Sequence, residues 1–167
     1  MIARGAAVAI GVTLAVACGA VGPSLLVNTH SSAAALAEAV LRGFERRDVQ
    51  ALMALSLTEA EFQNHIWPEL PASRPERNLP FSYVWGDLRQ KSESSLAQSV
   101  ARYGGRALAL VRVEYEGETT RYPSFTVFRD TVLVVRASDG VEHRVRLYGS
   151  TLEKDASFKV FSYVVDD

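Results

Sequence analysis

Apolar residues follow two different periods along the chain, helical up to Gly105 and strand-like beyond it. The first helical pattern starts after Ser31 or Ser32, either of which can cap an amphipathic helix. Asp48 is placed to cap a short second helix. A capping box at Thr58–Glu61 predicts a third. The domain is therefore expected to begin with several helices.

A long loop and a further helix follow. Four of the six prolines lie within residues 67–81, which predicts an irregular segment of a length that is uncommon inside compact domains. An apolar stripe over residues 85–103 predicts a helix, and the Gly104-Gly105 pair ends it. Ser92 or Ser94 could divide this stretch into two helices.

Apolar and polar residues alternate in the last third of the chain, which predicts β-strands. The predicted strands are residues 107–115, 122–129, 131–137, 141–148 and 158–165. Helices followed by an antiparallel meander indicate an α+β fold, with amino-terminal helices packed on one curved sheet of four to five strands.

The first helix, Ala-Leu-Ala-Glu-Ala-Val-Leu-Arg-Gly-Phe-Glu-Arg-Arg-Asp-Val at residues 35–49, and the order of elements over residues 32–167 resemble the nuclear transport factor 2-like superfamily. The resemblance implies a cone-shaped domain in which a bent sheet and a helical layer enclose a pocket. Members of that superfamily include ketosteroid isomerase, scytalone dehydratase and polyketide cyclases, and also non-catalytic binding domains. The fold therefore leaves an enzyme and a binding protein both open.

At the amino terminus, an uninterrupted apolar run follows Arg4 and ends at Ala17. A positive residue before a short apolar run predicts a secretory signal peptide over residues 1–17. The run is shorter than the about 20 residues that a membrane-spanning helix needs. The protein is therefore expected to be exported.

The residues around the single cysteine, Leu14-Ala15-Val16-Ala17-Cys18-Gly19, resemble the lipobox of bacterial lipoproteins. The resemblance implies that Cys18 becomes the first mature residue and carries a lipid that anchors the protein to a bacterial membrane. Ala15-Val16-Ala17 also fits ordinary signal cleavage, which leaves a secreted or periplasmic protein as the alternative. Residues 18–31 are expected to form a flexible tether, although residues 25–27 could instead pack on the domain.

Composition excludes several classes of function. A net charge of -1 over 167 residues gives no basic footprint for nucleic acid, and one cysteine allows no disulfide framework. Arginine outnumbers lysine 15 to 3, which we attribute to codon composition and not to anion recognition. The chain contains no glycine-rich phosphate loop and no metal-ligand motif, so we expect no cofactor and no metal.

Three residues are candidates for acid–base chemistry of the isomerase, dehydratase or cyclase type, which needs a base and a hydrogen-bond donor inside an apolar pocket. Asp87 lies beside the apolar stripe of its helix, and Tyr115 is on the predicted inward face of the first strand. His143 shares a predicted inward face with Val145 and Leu147. An acid near a helix start and a histidine near a strand end are also ordinary structural features, so catalysis is the alternative hypothesis.

Four aromatic residues, Trp67, Phe81, Tyr83 and Trp85, surround the proline-rich loop. They could bind a small apolar ligand or an envelope protein, or they could fill the open end of the cone as core. The leading hypothesis is a membrane-anchored, non-catalytic domain of the bacterial cell envelope that binds a ligand or partner through this region.

Overall fold

The computed structural model describes residues 26–165, so the predicted signal peptide and Cys18 lie outside the described residues. The helices are α1 (Ala33–Arg46), α2 (Val49–Ala54), α3 (Glu59–Glu61) and α4 (Phe81–Tyr103). A π turn (Phe62–Ile66) and three 3₁₀ turns (Trp67–Glu69, Pro71–Ser73 and Pro75–Arg77) connect α3 to α4. No helix between residues 26 and 165 is long and apolar enough to cross a membrane.

The helix starts follow the predicted caps. The Ser32 side chain accepts a hydrogen bond from the Ala35 amide, and the Asp48 side chain accepts one from the Ala51 amide. The capping box at Thr58–Glu61 is complete in both directions. The helix predicted after the loop is present as α4, which runs without interruption for 23 residues, so neither Ser92 nor Ser94 divides it.

The strands form two antiparallel sheets. They are β1 (Ala109–Tyr115), β2 (Thr119–Arg121), β3 (Thr126–Phe128), β4 (Thr131–Arg136), β5 (Glu142–Val145), β6 (Ser150–Lys154) and β7 (Ser157–Ser162). One sheet has the order β1-β4-β5, and the other has the order β2-β3-β6-β7. The α+β class is therefore confirmed, whereas the expected single sheet of four to five strands is wrong.

Two local features depart from the predicted strands. The first half of the predicted strand at residues 122–129 is a tight turn between β2 and β3, which contains Pro123 and in which the Tyr122 amide donates to the Phe125 carbonyl at 2.8 Å. The register of β1 against β4 shifts between Leu110 and Arg112. This bulge breaks the strict alternation and leaves Val111 38% exposed, although the sequence predicts it to face inward.

The apolar side chains form two cores, and α4 contributes to both. The central core lies between α1 and the three-stranded sheet and contains Phe44 and Leu133, with Leu96 from the later half of α4. The aromatic core contains Phe62 and Ile66, with Trp85 from the beginning of α4. At about 1.5 Å per residue, α4 extends about 33 Å from one core to the other.

The part of the predicted tether that the structure describes is packed on the domain. Leu26 is only 3% exposed and belongs to the aromatic core. The Val27 amide donates to Glu61 Oε1 at 2.7 Å, and the Val27 carbonyl accepts from Lys159 Nζ at 2.5 Å. His30 pairs with Phe158 as a short antiparallel bridge. The folded domain thus begins at residue 26 at the latest, and not at residue 32.

Lys159 and Glu61 form the ion pair beneath this segment, with Nζ and Oε1 3.0 Å apart. Burial would raise the pKa of Glu61, but hydrogen bonds from Thr58, Val27 and Lys159 hold it below its ordinary value. Burial lowers the pKa of Lys159, and the contact with Glu61 offsets part of that effect. The pair therefore fastens the start of the described chain to the domain.

Candidate functional site

The residues proposed for catalysis lie in separate surroundings. Asp87 lies on the exposed face of α4, where its Oδ2 accepts a hydrogen bond from Lys91 Nζ at 2.8 Å. His143 pairs with Val135 across β4 and β5 and so lies on the core side of the sheet, as the alternation predicts. It is nevertheless about half exposed on the edge strand of the sheet, and its Nε2 lies 3.6 Å from Asp139 Oδ2.

Tyr115 is held between the two sheets. Its ring stacks on Phe128 with centroids 4.6 Å apart, and burial raises the pKa of its hydroxyl. Thr131 and Thr151 share a buried hydroxyl–hydroxyl hydrogen bond of 3.2 Å in the same region. Thr151 offsets part of the effect of burial on the pKa of the Tyr115 and Tyr148 hydroxyls, although neither hydroxyl makes a hydrogen bond of normal geometry. The Glu153 carboxylate acts on the Tyr115 hydroxyl through its charge and adds to the rise in its pKa, whereas Asp87 does not reach the cluster from the exposed face of α4.

Three of the four predicted binding aromatics are core residues. Phe62, which the sequence analysis did not select, lies at their centre. Its ring centroid is 6.5 Å from Trp67, 6.1 Å from Phe81 and 5.2 Å from Trp85. Tyr83 differs from these residues, since it is 65% exposed on the first turn of α4. The aromatics therefore stabilise this end of the domain mainly by packing against one another.

A cavity does lie beside Trp85, between α2 and α4, but its volume is only about 30 Å³. Binding pockets for small organic molecules usually hold about 300 to 1,000 Å³. This cavity is therefore too small for an apolar ligand of ordinary size.

Two larger and adjoining cavities lie at the opposite end of α4, with volumes of about 530 and 590 Å³. Both are lined by Tyr103 and Arg144 and lie along β5 and the loop before it, and we call the two cavities together the edge groove. Its charged lining consists of Arg102, Arg106, Arg144, Arg146, Glu116 and Asp139, with His143. Four arginines against two carboxylates give the groove an excess of positive charge.

The last turn of α4 and the residues just after it supply one wall of the edge groove. The guanidinium carbons of Arg102 and Arg106 lie 5.2 and 5.7 Å from the centroid of the Tyr103 ring. Cation–π contact of this kind orients a guanidinium while leaving its N–H groups free to donate. Neither arginine has a carboxylate partner among residues 26–165.

Paired charges on the three-stranded sheet supply the other wall. Arg144 contacts both Glu114 and Glu116, and Arg146 also contacts Glu116. Arg112 Nε lies 2.6 Å from Glu114 Oε1, and we call this row of paired charges the ladder. Hydrogen bonds from the arginines hold the pKa values of both glutamates below their ordinary values. Exposed ion pairs add little stability, but a connected network restricts the arginine side chains to a few conformations.

The ladder also covers apolar side chains on this face of the sheet. Val134 is directly paired with both Arg112 and Arg144, and Val132 is paired with Glu114. Both valines are only 2% exposed, although the central core lies on the opposite face with Leu133. The aliphatic parts of the charged side chains therefore shield the valines from water.

The sequence analysis did not select the arginines of this ladder. The signal was present, because charged residues occupy every second position in residues 112–116 and 142–146. Such alternation in two segments that join one sheet predicts a shared charged face. The sequence of α4 contains no comparable pattern that would predict that Arg102 lines the groove.

Residues 26–165 contain no group of three histidine, cysteine, aspartate or glutamate side chains placed to hold a metal ion. Comparison of the chain with protein-family models, curated proteins and solved structures gives no match. The edge groove therefore remains the site from which a function can be inferred.

Proposed function

We propose that the chain is an exported, lipid-anchored protein of the bacterial cell envelope whose domain binds an extended acidic segment of a partner protein without catalysis. The observation that carries the proposal is the edge groove, which places four arginines along the free edge of a strand. The lipobox-like sequence at Cys18 supports the anchor.

The free edge supports an extended partner. Within the described part of the chain, β5 pairs with β4 alone, so its other edge has backbone groups available for an added strand. Proteins often bind peptides by adding them to such an edge, where backbone hydrogen bonds give affinity and flanking side chains give specificity. Arg102 from the last turn of α4 and Arg106 just after it flank this edge, and Arg144 flanks it from β5 itself.

The charge of the groove supports an acidic partner. Guanidinium groups donate to carboxylates with two parallel hydrogen bonds, and these bonds are stronger than those between neutral groups. Since side chains of an extended peptide alternate between two faces, acidic residues at every second position would all meet the arginine side. The partner's remaining side chains would face solvent.

Binding can be tested with full-length protein in detergent and a fluorescent peptide of alternating Glu and Val, measured by anisotropy. We expect binding that weakens with added salt, and a loss of affinity of about tenfold or more in the double variant Arg102→Glu, Arg106→Glu. Amide chemical shifts of residues 142–145 should change on addition of the peptide.

Arg74→Glu, Arg77→Glu is the matched control, because it makes the same change in charge at two exposed residues outside the groove. A peptide of alternating Lys and Val controls for backbone pairing alone. Equal affinity of the groove variant and the wild type, or equal binding of the two peptides, would contradict the proposal. Melting curves establish that each variant is folded.

A further inference from the structure

We infer that the domain has a fixed orientation on the membrane, with the beginning of α4 and its exposed Tyr83 resting at the lipid headgroups and the edge groove facing away from the membrane. This inference rests on the proposed anchor at Cys18 and adds an interaction surface that the anchor alone does not require.

The first step is to locate where the start of the described residues packs on the rest of the domain. Leu26 is buried in the aromatic core, which also contains Trp85 from the beginning of α4. The backbone of Val27 is held on both sides by Glu61 and Lys159. A link from Cys18 therefore enters the domain at its aromatic end.

The second step is a comparison of lengths. Leu26 lies eight positions after Cys18 in the sequence. A chain of that length spans at most about 29 Å when fully extended and about 16 Å as a coil. The axis of α4 is longer, at about 33 Å, and the edge groove lies at its other end. A short link therefore keeps the aromatic end close to the membrane and leaves the groove remote from it.

The third step is the chemistry of the surface that this orientation presents to the lipid. Tyr83 is 65% exposed and Leu79 is 41% exposed, and both lie at the beginning of α4. Trp67 and Phe81 are half-buried at the same end of the domain, with ring centroids 5.8 Å apart. Tyrosine and tryptophan are the residues that membrane proteins concentrate at headgroup level, because their rings are apolar and carry one polar group. We name Tyr83, Leu79, Trp67 and Phe81 the anchor-end surface.

The single cysteine makes a site-specific test possible. When Cys18 is acylated, a cysteine introduced elsewhere is the one free thiol and can carry an environment-sensitive fluorophore. Tyr83→Cys reports on the anchor-end surface, and Glu76→Cys reports on its neighbourhood while keeping Tyr83 intact. Val141→Cys is the control, because Val141 is 53% exposed beside His143 of the edge groove.

The labelled full-length proteins are reconstituted into vesicles of phosphatidylethanolamine and phosphatidylglycerol with or without brominated lipid. We expect the fluorophores at positions 83 and 76 to be quenched by brominated lipid and shifted to shorter wavelength, and the one at position 141 to be unaffected. Equal quenching at positions 83 and 141, or stronger quenching at 141, overturns the inferred orientation.

Two independent measurements separate this result from the anchor itself. The mass of the amino-terminal peptide reports acylation of Cys18, and sedimentation with the vesicles reports attachment. A protein without acyl groups overturns the anchor and the orientation together. An acylated, attached protein with equal quenching at the two ends overturns the orientation and leaves the anchor in place.

Discussion

The buried ion pair between Lys159 and Glu61 gives a quantitative test of how the start of the domain is held. The Lys159 side chain is fully buried, and its ammonium lies 3.0 Å from the Glu61 carboxylate. At that distance the Coulomb attraction is about 5 kcal/mol for an effective dielectric constant near 20. Glu61→Gln removes this attraction and leaves the ammonium buried without a counter-ion, which we expect to cost about 3–5 kcal/mol of unfolding free energy.

The reverse substitution should cost less. Lys159→Met keeps a long unbranched side chain and removes the charge, while Glu61 still accepts hydrogen bonds from the amides of Thr58 and Val27 at 2.7 Å each. We therefore expect a loss of about 1–3 kcal/mol. In the double variant neither charge is left unpaired, so its loss should be smaller than the sum of the two single losses by about 2 kcal/mol.

Urea unfolding of the full-length proteins, followed by tryptophan fluorescence and circular dichroism, measures these differences. Glu61→Gln should lower the melting temperature by about 10 °C. Amide exchange at Val27 should accelerate in the double variant, because both side chains that hold its backbone are changed. Additive losses within about 0.5 kcal/mol would refute the coupling between the two charges.

The same pair predicts a dependence of stability on pH. The pKa of Glu61 is lower in the folded protein than in the unfolded chain, so the unfolded state takes up a proton first as the solution is acidified. The contribution of Glu61 is therefore complete above its ordinary pKa and is lost as the pH falls through its folded value. Glu61→Gln should make the unfolding free energy depend less on pH in this acidic range. An unchanged dependence on pH in the variant would exclude Glu61 as its source.

Two matched pairs of substitutions test the packing elsewhere, each by melting temperature and urea midpoint. Gly149→Ala should cost several kcal/mol, because a Cβ there would lie 1.7 Å from the Val164 carbonyl oxygen. Gly86→Ala should stabilise the protein by about 0.5–1 kcal/mol, because nothing lies within 4 Å of its Cβ position inside α4. Similar losses of stability for both variants would contradict this account. Tyr163→Phe should cost about 1–2 kcal/mol, since the buried Tyr163 hydroxyl donates to a carbonyl of α2 at 2.6 Å. Tyr148→Phe should change stability by less than about 0.5 kcal/mol, since the buried Tyr148 hydroxyl has no hydrogen bond of normal geometry. A larger loss for Tyr148→Phe than for Tyr163→Phe would contradict that assignment.

Local signals in the sequence predict the helical half of the domain well. The caps at Ser32, Asp48 and Thr58 act through hydrogen bonds to residues three positions away, so a short stretch of sequence contains everything that they need. The α+β class follows from the order of the two periodicities alone. The strands β6 and β2 were missed because polar residues dominate both. The strand β6 also depends on its pairing with β3, which lies much earlier in the chain, whereas β2 pairs with β3 across a short turn.

The candidate site was less accessible to prediction because it is assembled from separate elements. The sequence placed four aromatic residues beside one loop, but only the fold shows that Phe62 packs three of them into a core and leaves Tyr83 exposed. Arg102 and Arg144 line the same cavity because α4 ends beside the edge strand. That juxtaposition depends on the path of the chain through some forty intervening residues, which no local pattern encodes.

The two kinds of arginine in the edge groove have different consequences for affinity. Arg144 and Arg146 already contact glutamates, so an incoming carboxylate must share or displace an existing partner and gains little net energy. Arg102 and Arg106 have no such partner among the described residues and are oriented by the Tyr103 ring. The attraction for an acidic segment should therefore come mainly from the α4 side. The paired arginines instead keep that face of the sheet rigid and shield its valines from water.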